Sequence, residues 1–91
     1  MRYYVYILLG SDDKFYIGYT TNLKNRLALH SKGKVKSTKF RRYLKLIHYE
    51  YFIDKKDAKA REIFLKSGAG HEQIKKFLKN TMKNKISTPR G

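Results

Sequence analysis

Two tyrosine-rich segments near the start of the chain have the composition of β-strands. Residues 3–9 are aromatic, branched or leucine throughout, and residues 15–19 resume this character after the run Gly10-Ser11-Asp12-Asp13. Aromatic and β-branched residues are favoured in strands, and glycine and aspartate are favoured in the turns between strands. The two segments therefore predict a β-hairpin.

The residues after the hairpin have the spacing of a short helix. Leu23, Leu27 and His30 recur at i, i+4 and i+7, which places them on one side of a helix. Residues 20–22 are Thr, Thr and Asn, whose side-chain oxygens can accept hydrogen bonds from the first helical N–H groups. We expect a helix over residues 22–31.

The rest of the chain alternates between polar and apolar segments. Residues 34–42 show no periodicity and predict a surface loop, whereas residues 43–52 are aromatic and branched and predict a third strand. Residues 54–66 begin with a capping aspartate and predict a helix, which residues 67–70, Ser-Gly-Ala-Gly, are expected to end. A last helix is predicted over residues 71–79.

The predicted order of elements is β-β-α-β-α-α, in which three strands form one small sheet with helices packed against it. This arrangement belongs to the α+β class. The 91 residues have room for one domain, which we expect over residues 1–80. Residues 81–91 are polar and basic, so we expect a flexible tail there.

The charge of the chain is strongly basic. It has 22 lysines and arginines against 7 acidic residues, for a net charge of +15, and no acidic residue occurs between Asp13 and Glu50. Such a surface is typical of proteins that bind polyanions, and nucleic acid is the favoured partner. A merely solubilising surface and an anionic membrane surface are the alternatives. The cations expected to contact nucleic acid are Lys24, Lys32, Lys34, Lys36, Lys39, Arg41 and Arg42.

Cysteine is missing from the sequence, which excludes a disulfide framework and a thiolate metal site. This composition fits a reducing compartment, and we expect the protein in the cytoplasm. The longest apolar run, residues 3–9, is far short of the roughly 20 residues that a membrane-spanning helix needs. We therefore expect no membrane-spanning segment, and with nucleic acid as the favoured partner of the basic surface we expect no membrane partner.

Several polar side chains are predicted to converge on one face of the hairpin. If residue 6 lies opposite residue 16, the hydroxyls of Tyr6 and Tyr16 lie close together. Gly18 shares the face of Tyr16 and leaves it open for a close approach. Arg26 and His30 are four residues apart on the helix, beside the leucines that face the sheet. The ordinary alternatives are strand tyrosines, a solvated arginine and a helix-end histidine.

The spacing of these residues resembles that of the GIY-YIG nuclease superfamily. Tyr4-Val5-Tyr6 and, ten residues on, Tyr16-Ile17-Gly18 are similar to its two motif triplets, with Tyr4 in place of a glycine. Arg26 and His30 follow at matching positions. Further similarity, to the small stand-alone bacterial members, lies in Tyr49-Glu50, Ala58, Arg61-Glu62 and Leu65-Lys66. The likeness covers about residues 3–78.

The resemblance implies a one-metal endonuclease whose site is carried by a three-stranded antiparallel sheet. It makes Tyr6 and Tyr16 the motif tyrosines and Arg26 the helix arginine. It places His30 at the position that is histidine or tyrosine in members of the superfamily, and it makes Glu62 the metal ligand. The implied cofactor is one divalent ion, Mg²⁺ or Mn²⁺, which keeps several water ligands and also binds substrate phosphate. The implied activity is hydrolysis of phosphodiester bonds in DNA, favoured over RNA, with structure-selective or weak sequence specificity and a setting in DNA repair.

The side chains suit these implied roles. The planar guanidinium of Arg26 matches the geometry of a phosphate group. A tyrosine hydroxyl has an ordinary pKa of about 10, so Tyr6 or Tyr16 can act as a base only with help from a cation such as the metal. His30 could assist either tyrosine, and the sequence leaves open which of the two is the base.

Glu62 also has an ordinary explanation, because Lys66 lies four residues on and would form a surface ion pair with it. Many family members carry an asparagine about a dozen residues after the metal glutamate. This chain has Gly-His-Glu-Gln-Ile at residues 70–74. The alternative function is therefore a basic module that binds DNA or RNA without catalysis.

Overall fold

The computed structural model of the protein describes residues 1–35 and 44–87, with side chains as far as residue 84. It has three strands and four helices in these ranges. They are β1 (Tyr3–Gly10), β2 (Phe15–Thr20), α1 (Leu23–Ser31), β3 (Leu44–Phe52), α2 (Lys55–Lys66), α3 (Gly68–Phe77) and α4 (Lys79–Ser87). The predicted α+β class is confirmed, with one helix more than the sequence predicted.

The sheet has the strand order β2-β1-β3, and both neighbours run antiparallel to the central strand β1. Tyr6 lies opposite Gly18, and Tyr16 lies opposite Leu8, so the assumed pairing of residue 6 with residue 16 is wrong by two positions. The turn sets this register, because the N–H of Gly10 donates to the carbonyl of Lys14 across it at 3.0 Å. A shift of two residues keeps Tyr6 and Tyr16 on the same face.

The two faces of the sheet have different partners. Val5 and Ile7 of β1 point to one face and are buried against Ala58, Leu65 and Ile74 of α2 and α3, which form the core. The alternate residues of β1, which include Tyr4 and Tyr6, point to the other face. There α1 lies over part of the sheet, and its His30 ring contacts Tyr6.

Helix α1 begins as predicted, because Asn22 caps it by accepting a hydrogen bond from the N–H of Asn25 at 3.0 Å. The boundary between α2 and α3 differs from the prediction. Ser67 closes α2, and its hydroxyl accepts from the N–H of Gly70 at 3.0 Å, so α3 begins at Gly68 rather than at His71.

Gly70 explains why the Ser-Gly-Ala-Gly run is not a loop. A Cβ atom at Gly70 would overlap the carbonyl oxygen of Phe64 and the backbone of Leu65. The absence of a side chain therefore allows α3 to begin directly against the end of α2. The predicted helix end is confirmed, because α2 ends at Lys66, and only the start of the next helix differs from the prediction.

The chain beyond residue 80 is helical as far as Ser87, within the segment for which a flexible tail was expected. Residues 88–91 lie outside the described residues, so the flexible end of the chain stays a prediction. Residues 36–43, which hold most of the predicted basic loop, also lie outside them. In the part of the chain that the structure describes, no helix is long and apolar enough to cross a membrane.

Candidate active site

Tyr6 lies at the centre of the candidate site. Its side chain is 2% exposed, and its hydroxyl is 2.8 Å from Nε2 of His30. Gly18, on the neighbouring strand, makes room for the Tyr6 ring, since a Cβ atom there would overlap the Tyr6 hydroxyl and ring. The sequence predicted that Gly18 leaves its face open, and the ring of Tyr6 occupies that space.

The electrostatic surroundings of Tyr6 favour its neutral form. Burial raises the pKa of the Tyr6 hydroxyl, and the charge of Glu62 acts in the same direction. The Arg26 guanidinium lowers this pKa through its charge and its polar contact with the hydroxyl, but the net change is upward. Tyr6 therefore keeps its proton at neutral pH unless a stronger base or a further cation is present.

His30 provides a neutral acceptor beside this hydroxyl. Its side chain is 5% exposed, and burial lowers the pKa of its imidazole, as does the charge of Arg26. A neutral imidazole has one unprotonated ring nitrogen. In the tautomer that carries its proton on Nδ1, Nε2 accepts the hydrogen bond from the Tyr6 hydroxyl.

Tyr16 shares the face of Tyr6 but has a different partner. Its hydroxyl donates to Oδ2 of Asp12 at 2.7 Å, while Oδ1 of Asp12 accepts from the N–H of Lys14 at 3.1 Å. The sequence identified Asp12 only as a turn residue. Its position four residues before Tyr16, across the turn, was the available signal for this contact.

One cleft of about 430 Å³ collects these side chains at the edge strand β2. Its wall is formed by Tyr6 of β1 and residues from both faces of β2, together with residues of α1, α2 and the start of α3. All five residues assigned to catalysis or metal binding line it, namely Tyr6, Tyr16, Arg26, His30 and Glu62. The structure therefore brings together side chains that are up to 56 residues apart in the sequence.

Glu62 reaches the cleft from α2 and is held by two lysines. Its side chain is 13% exposed, with Oε1 at 3.3 Å from Nζ of Lys59 and Oε2 at 3.1 Å from Nζ of Lys66. The ion pair with Lys66 is the ordinary explanation considered from the sequence, and it is present. The negative charge of Glu62 also contributes to raising the pKa of the Tyr6 hydroxyl.

The chemistry of these residues fits a metal ion with few protein ligands. Within residues 1–35 and 44–87, no three histidine or acidic side chains are grouped so that they could share an ion. Mg²⁺ and Mn²⁺ can be held by a single carboxylate when water and substrate phosphate supply the other ligands. Glu62 is the carboxylate in the cleft that could do so, after exchanging one lysine for the ion.

Lys66 was missed as a candidate for nucleic-acid binding. It was considered only as a partner of Glu62, yet it lines the same cleft. Lys24, Lys32 and Lys34 are exposed, and Lys24 borders a second cleft on α1. The other predicted contacts, Lys36, Lys39, Arg41 and Arg42, lie outside the described residues.

A small antiparallel sheet with a tyrosine, an arginine, a histidine and a glutamate around one cleft defines an α+β domain with a candidate hydrolytic site. The family model described as the GIY-YIG catalytic domain matches residues 2–83. The chain therefore belongs to the GIY-YIG family, a nuclease superfamily whose members act on nucleic acid and generally depend on a divalent metal.

Relatives of similar length support this assignment. A UPF0213 protein of Staphylococcus haemolyticus is 40% identical over 75 residues, which cover 81% of this chain and 92% of the relative. A UPF0213 protein of Pediococcus acidilactici is 41% identical over 81 residues, covering 86% and 82%. The solution NMR structure of a UPF0213 protein from Bacillus halodurans is similar with a TM-score of 0.56 and 35% identity, covering 85% of each chain.

Proposed function

We propose that the protein is a divalent-metal-dependent endonuclease that hydrolyses phosphodiester bonds in DNA. The observation that carries the proposal is the hydrogen bond of 2.8 Å between the Tyr6 hydroxyl and His30, in a cleft that Arg26 and Glu62 also line. A buried tyrosine and a neutral histidine can together move a proton, and an arginine beside them can bind a phosphate. These are the elements that hydrolysis of a phosphodiester requires.

Arg26 binds and neutralises the phosphate group that is attacked. Its guanidinium lies near the Tyr6 hydroxyl and lines the cleft, so a phosphate held there would be next to the proton acceptor. Because negative charge on the phosphoryl oxygens increases towards the transition state, a fixed cation stabilises that state more than the substrate.

Tyr6 and His30 remove the proton from the attacking water. The water oxygen forms a bond to phosphorus, its proton passes to the Tyr6 oxygen, and the Tyr6 proton passes to Nε2 of His30. The sugar oxygen leaves with the electrons of its bond to phosphorus and takes a proton from solvent. This relay requires a neutral His30, which its lowered pKa favours.

Glu62 is the residue that would hold the metal. A divalent ion there would polarise the phosphoryl oxygens and stabilise the charge of the leaving oxygen. Lys59 and Lys66, which contact the carboxylate, are placed to turn from Glu62 to the phosphates of the substrate. A chain of 91 residues offers little surface for reading base edges, so selectivity for the shape of the DNA is favoured over a long recognition sequence.

The test is cleavage of flapped, branched and single-stranded DNA by the purified protein in Mg²⁺ or Mn²⁺, compared with EDTA. Tyr6→Phe removes the hydroxyl and should lower the rate at least about 100-fold, the range found when a transition-state contact is removed. Tyr3→Phe is the matched control, because Tyr3 packs against Tyr19 on the opposite face. Equal rates for the two variants would reject the relay.

Metal binding can be measured separately by calorimetry with Mn²⁺ and a DNA strand. Glu62→Gln should abolish the heat of metal binding, whereas Glu72→Gln should not. Glu72 is 67% exposed and pairs only with Lys75 among the ion pairs of the described residues, at 3.6 Å. Equal metal binding by both variants would remove Glu62 from the proposed site.

A second candidate is a basic module that binds DNA or RNA without cutting it. The observation that favours it is the pairing of both Glu62 oxygens with lysines, together with the absence of asparagine from residues 70–74. Its affinity should fall steeply with salt, should not depend on metal, and should be unchanged in Tyr6→Phe. Metal-dependent cleavage that is lost in Tyr6→Phe would exclude it.

A further inference from the structure

Three tyrosines form a cluster on the sheet, outside the cleft of the candidate active site. Tyr4 lies opposite Tyr51 on the neighbouring strand, and its ring centroid is 5.7 Å from that of Tyr51 and 6.1 Å from that of Tyr49. All three share the face of Tyr6, because Tyr6 lies opposite Tyr49. We name Tyr4, Tyr49 and Tyr51 the tyrosine platform.

The platform is accessible to solvent. Tyr49 is 51% exposed and Tyr51 is 52% exposed, although both belong to a nine-residue strand. On the opposite face, the aromatic residues of the sheet pack against the core beneath α2 and α3. A contiguous patch of exposed aromatic rings often marks a binding site.

The surroundings of the platform are cationic. A second cleft of about 540 Å³ is lined by Tyr4 and Tyr49 together with Arg2, Lys24 and Leu27. None of the residues that line it is acidic. Flat rings flanked by cations suit a ligand that combines planar bases with phosphates, because every base can stack on an aromatic ring.

We infer that the tyrosine platform binds single-stranded DNA by stacking unpaired bases on Tyr49 and Tyr51, with Arg2 and Lys24 contacting the phosphates. The inference deepens the proposed function, on which its choice of DNA as the ligand rests. Bases in a duplex are covered by their neighbours, so this surface selects unpaired nucleotides.

The platform is continuous with the candidate active site. Tyr49 lies opposite Tyr6, and residues directly opposite in an antiparallel pair have Cβ atoms about 5 Å apart. Helix α1 contributes to both clefts, with Arg26 and His30 in one and Lys24 and Leu27 in the other. A DNA strand that passes over α1 would therefore contact the platform and the candidate active site together. Such binding would direct cleavage to positions beside unpaired nucleotides.

Binding is measured by fluorescence anisotropy of labelled oligonucleotides in EDTA, so that no cleavage is needed. The probes are an oligothymidine, an abasic strand of equal length and charge, and an oligouridine. Tyr49→Ala/Tyr51→Ala should weaken oligothymidine binding at least about tenfold, and Tyr49→Phe/Tyr51→Phe by less than about threefold. Ile53→Ala, which alters an exposed residue beside the platform, is the control and should match wild type.

The abasic strand separates stacking from charge. It should bind wild type and the double alanine variant equally, because the phosphates are unchanged. A second variant, Tyr49→Trp, gives a direct signal, since the chain has no other tryptophan. Its fluorescence should be quenched by oligothymidine and not by the abasic strand.

The inference is overturned if the double alanine variant binds oligothymidine as tightly as wild type does. It is also overturned if the variant's affinity for the abasic strand falls as much as its affinity for oligothymidine. Unquenched indole fluorescence of the Tyr49→Trp variant on saturation with oligothymidine would also overturn it, even if the alanine variant failed to fold. Tighter, platform-dependent binding of oligouridine would reject DNA as the ligand. If the protein never cuts DNA but gives the stacking results, the proposed nuclease function is rejected and the inference about the tyrosine platform stands.

Discussion

Replacement of Gly18 by alanine would test the geometry of the candidate site most sharply. Gly18 lies opposite Tyr6, and the Cβ atom of an alanine would overlap the Tyr6 hydroxyl and ring. Either Tyr6 or the strand must move. Because Tyr6 is buried between β2 and α1, its displacement would break the hydrogen bond to His30.

The cost follows from two contributions. Insertion of a methyl group into a packed interior costs about 1–3 kcal/mol. Loss of the buried hydrogen bond between Tyr6 and His30 adds about 1–2 kcal/mol. We expect Gly18→Ala to lower the free energy of unfolding by about 2–5 kcal/mol, and the Tm by at least about 8 °C for a domain of this size.

The assay is urea unfolding followed by circular dichroism, with DNA cleavage measured alongside. Gly68→Ala is the matched control, because a Cβ placed there has no atom within 4 Å apart from its chain neighbours and the backbone of its own helix, and alanine is favoured in a helix. Gly18→Ala should be far less costly in a Tyr6→Leu background, where the ring is missing. Equal stability of Gly18→Ala and Gly68→Ala would refute the packing of Tyr6 against Gly18.

Three further predictions follow from the contacts. NMR titration should give His30 a pKa below that of an unfolded peptide, because burial and Arg26 lower it. Stability should therefore decrease as the pH falls below the unfolded pKa, and cleavage should decrease only as the pH falls through the lower, folded pKa. Glu50→Gln should cost roughly 1–3 kcal/mol by thermal unfolding, because Arg61 donates to both Glu50 oxygens at 2.8 and 3.0 Å. Gly70→Ala should destabilise at least as much as Gly18→Ala, because it would overlap backbone that cannot rotate away.

The stability that Glu50 contributes also depends on pH, but its pKa is lowered because its charged form is stabilised, whereas the pKa of His30 is lowered because its charged form is disfavoured. Burial alone would raise the pKa of Glu50, but hydrogen bonds and charges from Arg61 and His48 outweigh it and lower the pKa. A carboxylate with a lowered folded pKa contributes stability that is present above its unfolded pKa. That contribution is lost as the pH falls through the folded value, and Glu50→Gln should remove this dependence.

Local sequence signals predicted the elements because they depend on neighbouring residues. The hairpin, the third strand and α2 follow from runs of aromatic, branched and capping residues, and Asn22 caps α1 as its side chain permits. The register of the hairpin did not follow, because it depends on how Gly10 and Lys14 pair across the turn. Two residues of shift changed the partner of Tyr6 from Tyr16 to Gly18.

The family resemblance pointed to residues that the structure places around one cleft, but it did not indicate the contacts among them. The spacing brought Tyr6, His30 and Glu62 forward as candidates, yet nothing local indicates that the Tyr6 hydroxyl meets His30, 24 residues away. The contact of Asp12 with Tyr16 and the pairing of Lys59 with Glu62 also require the folded arrangement. The tyrosine platform was missed because it joins two strands that are far apart in sequence.

The most direct test of the proposed metal site is the single-turnover rate of flap cleavage in Mn²⁺ by wild type, Glu62→Gln and Glu72→Gln. Removal of the Glu62 charge frees Lys59 and Lys66 for phosphate, so DNA binding should persist or strengthen. We predict that Glu62→Gln cuts at least about 100-fold more slowly while Glu72→Gln stays within about twofold of wild type. Equal rates for all three proteins would contradict the assignment of Glu62 as the metal ligand of a nuclease.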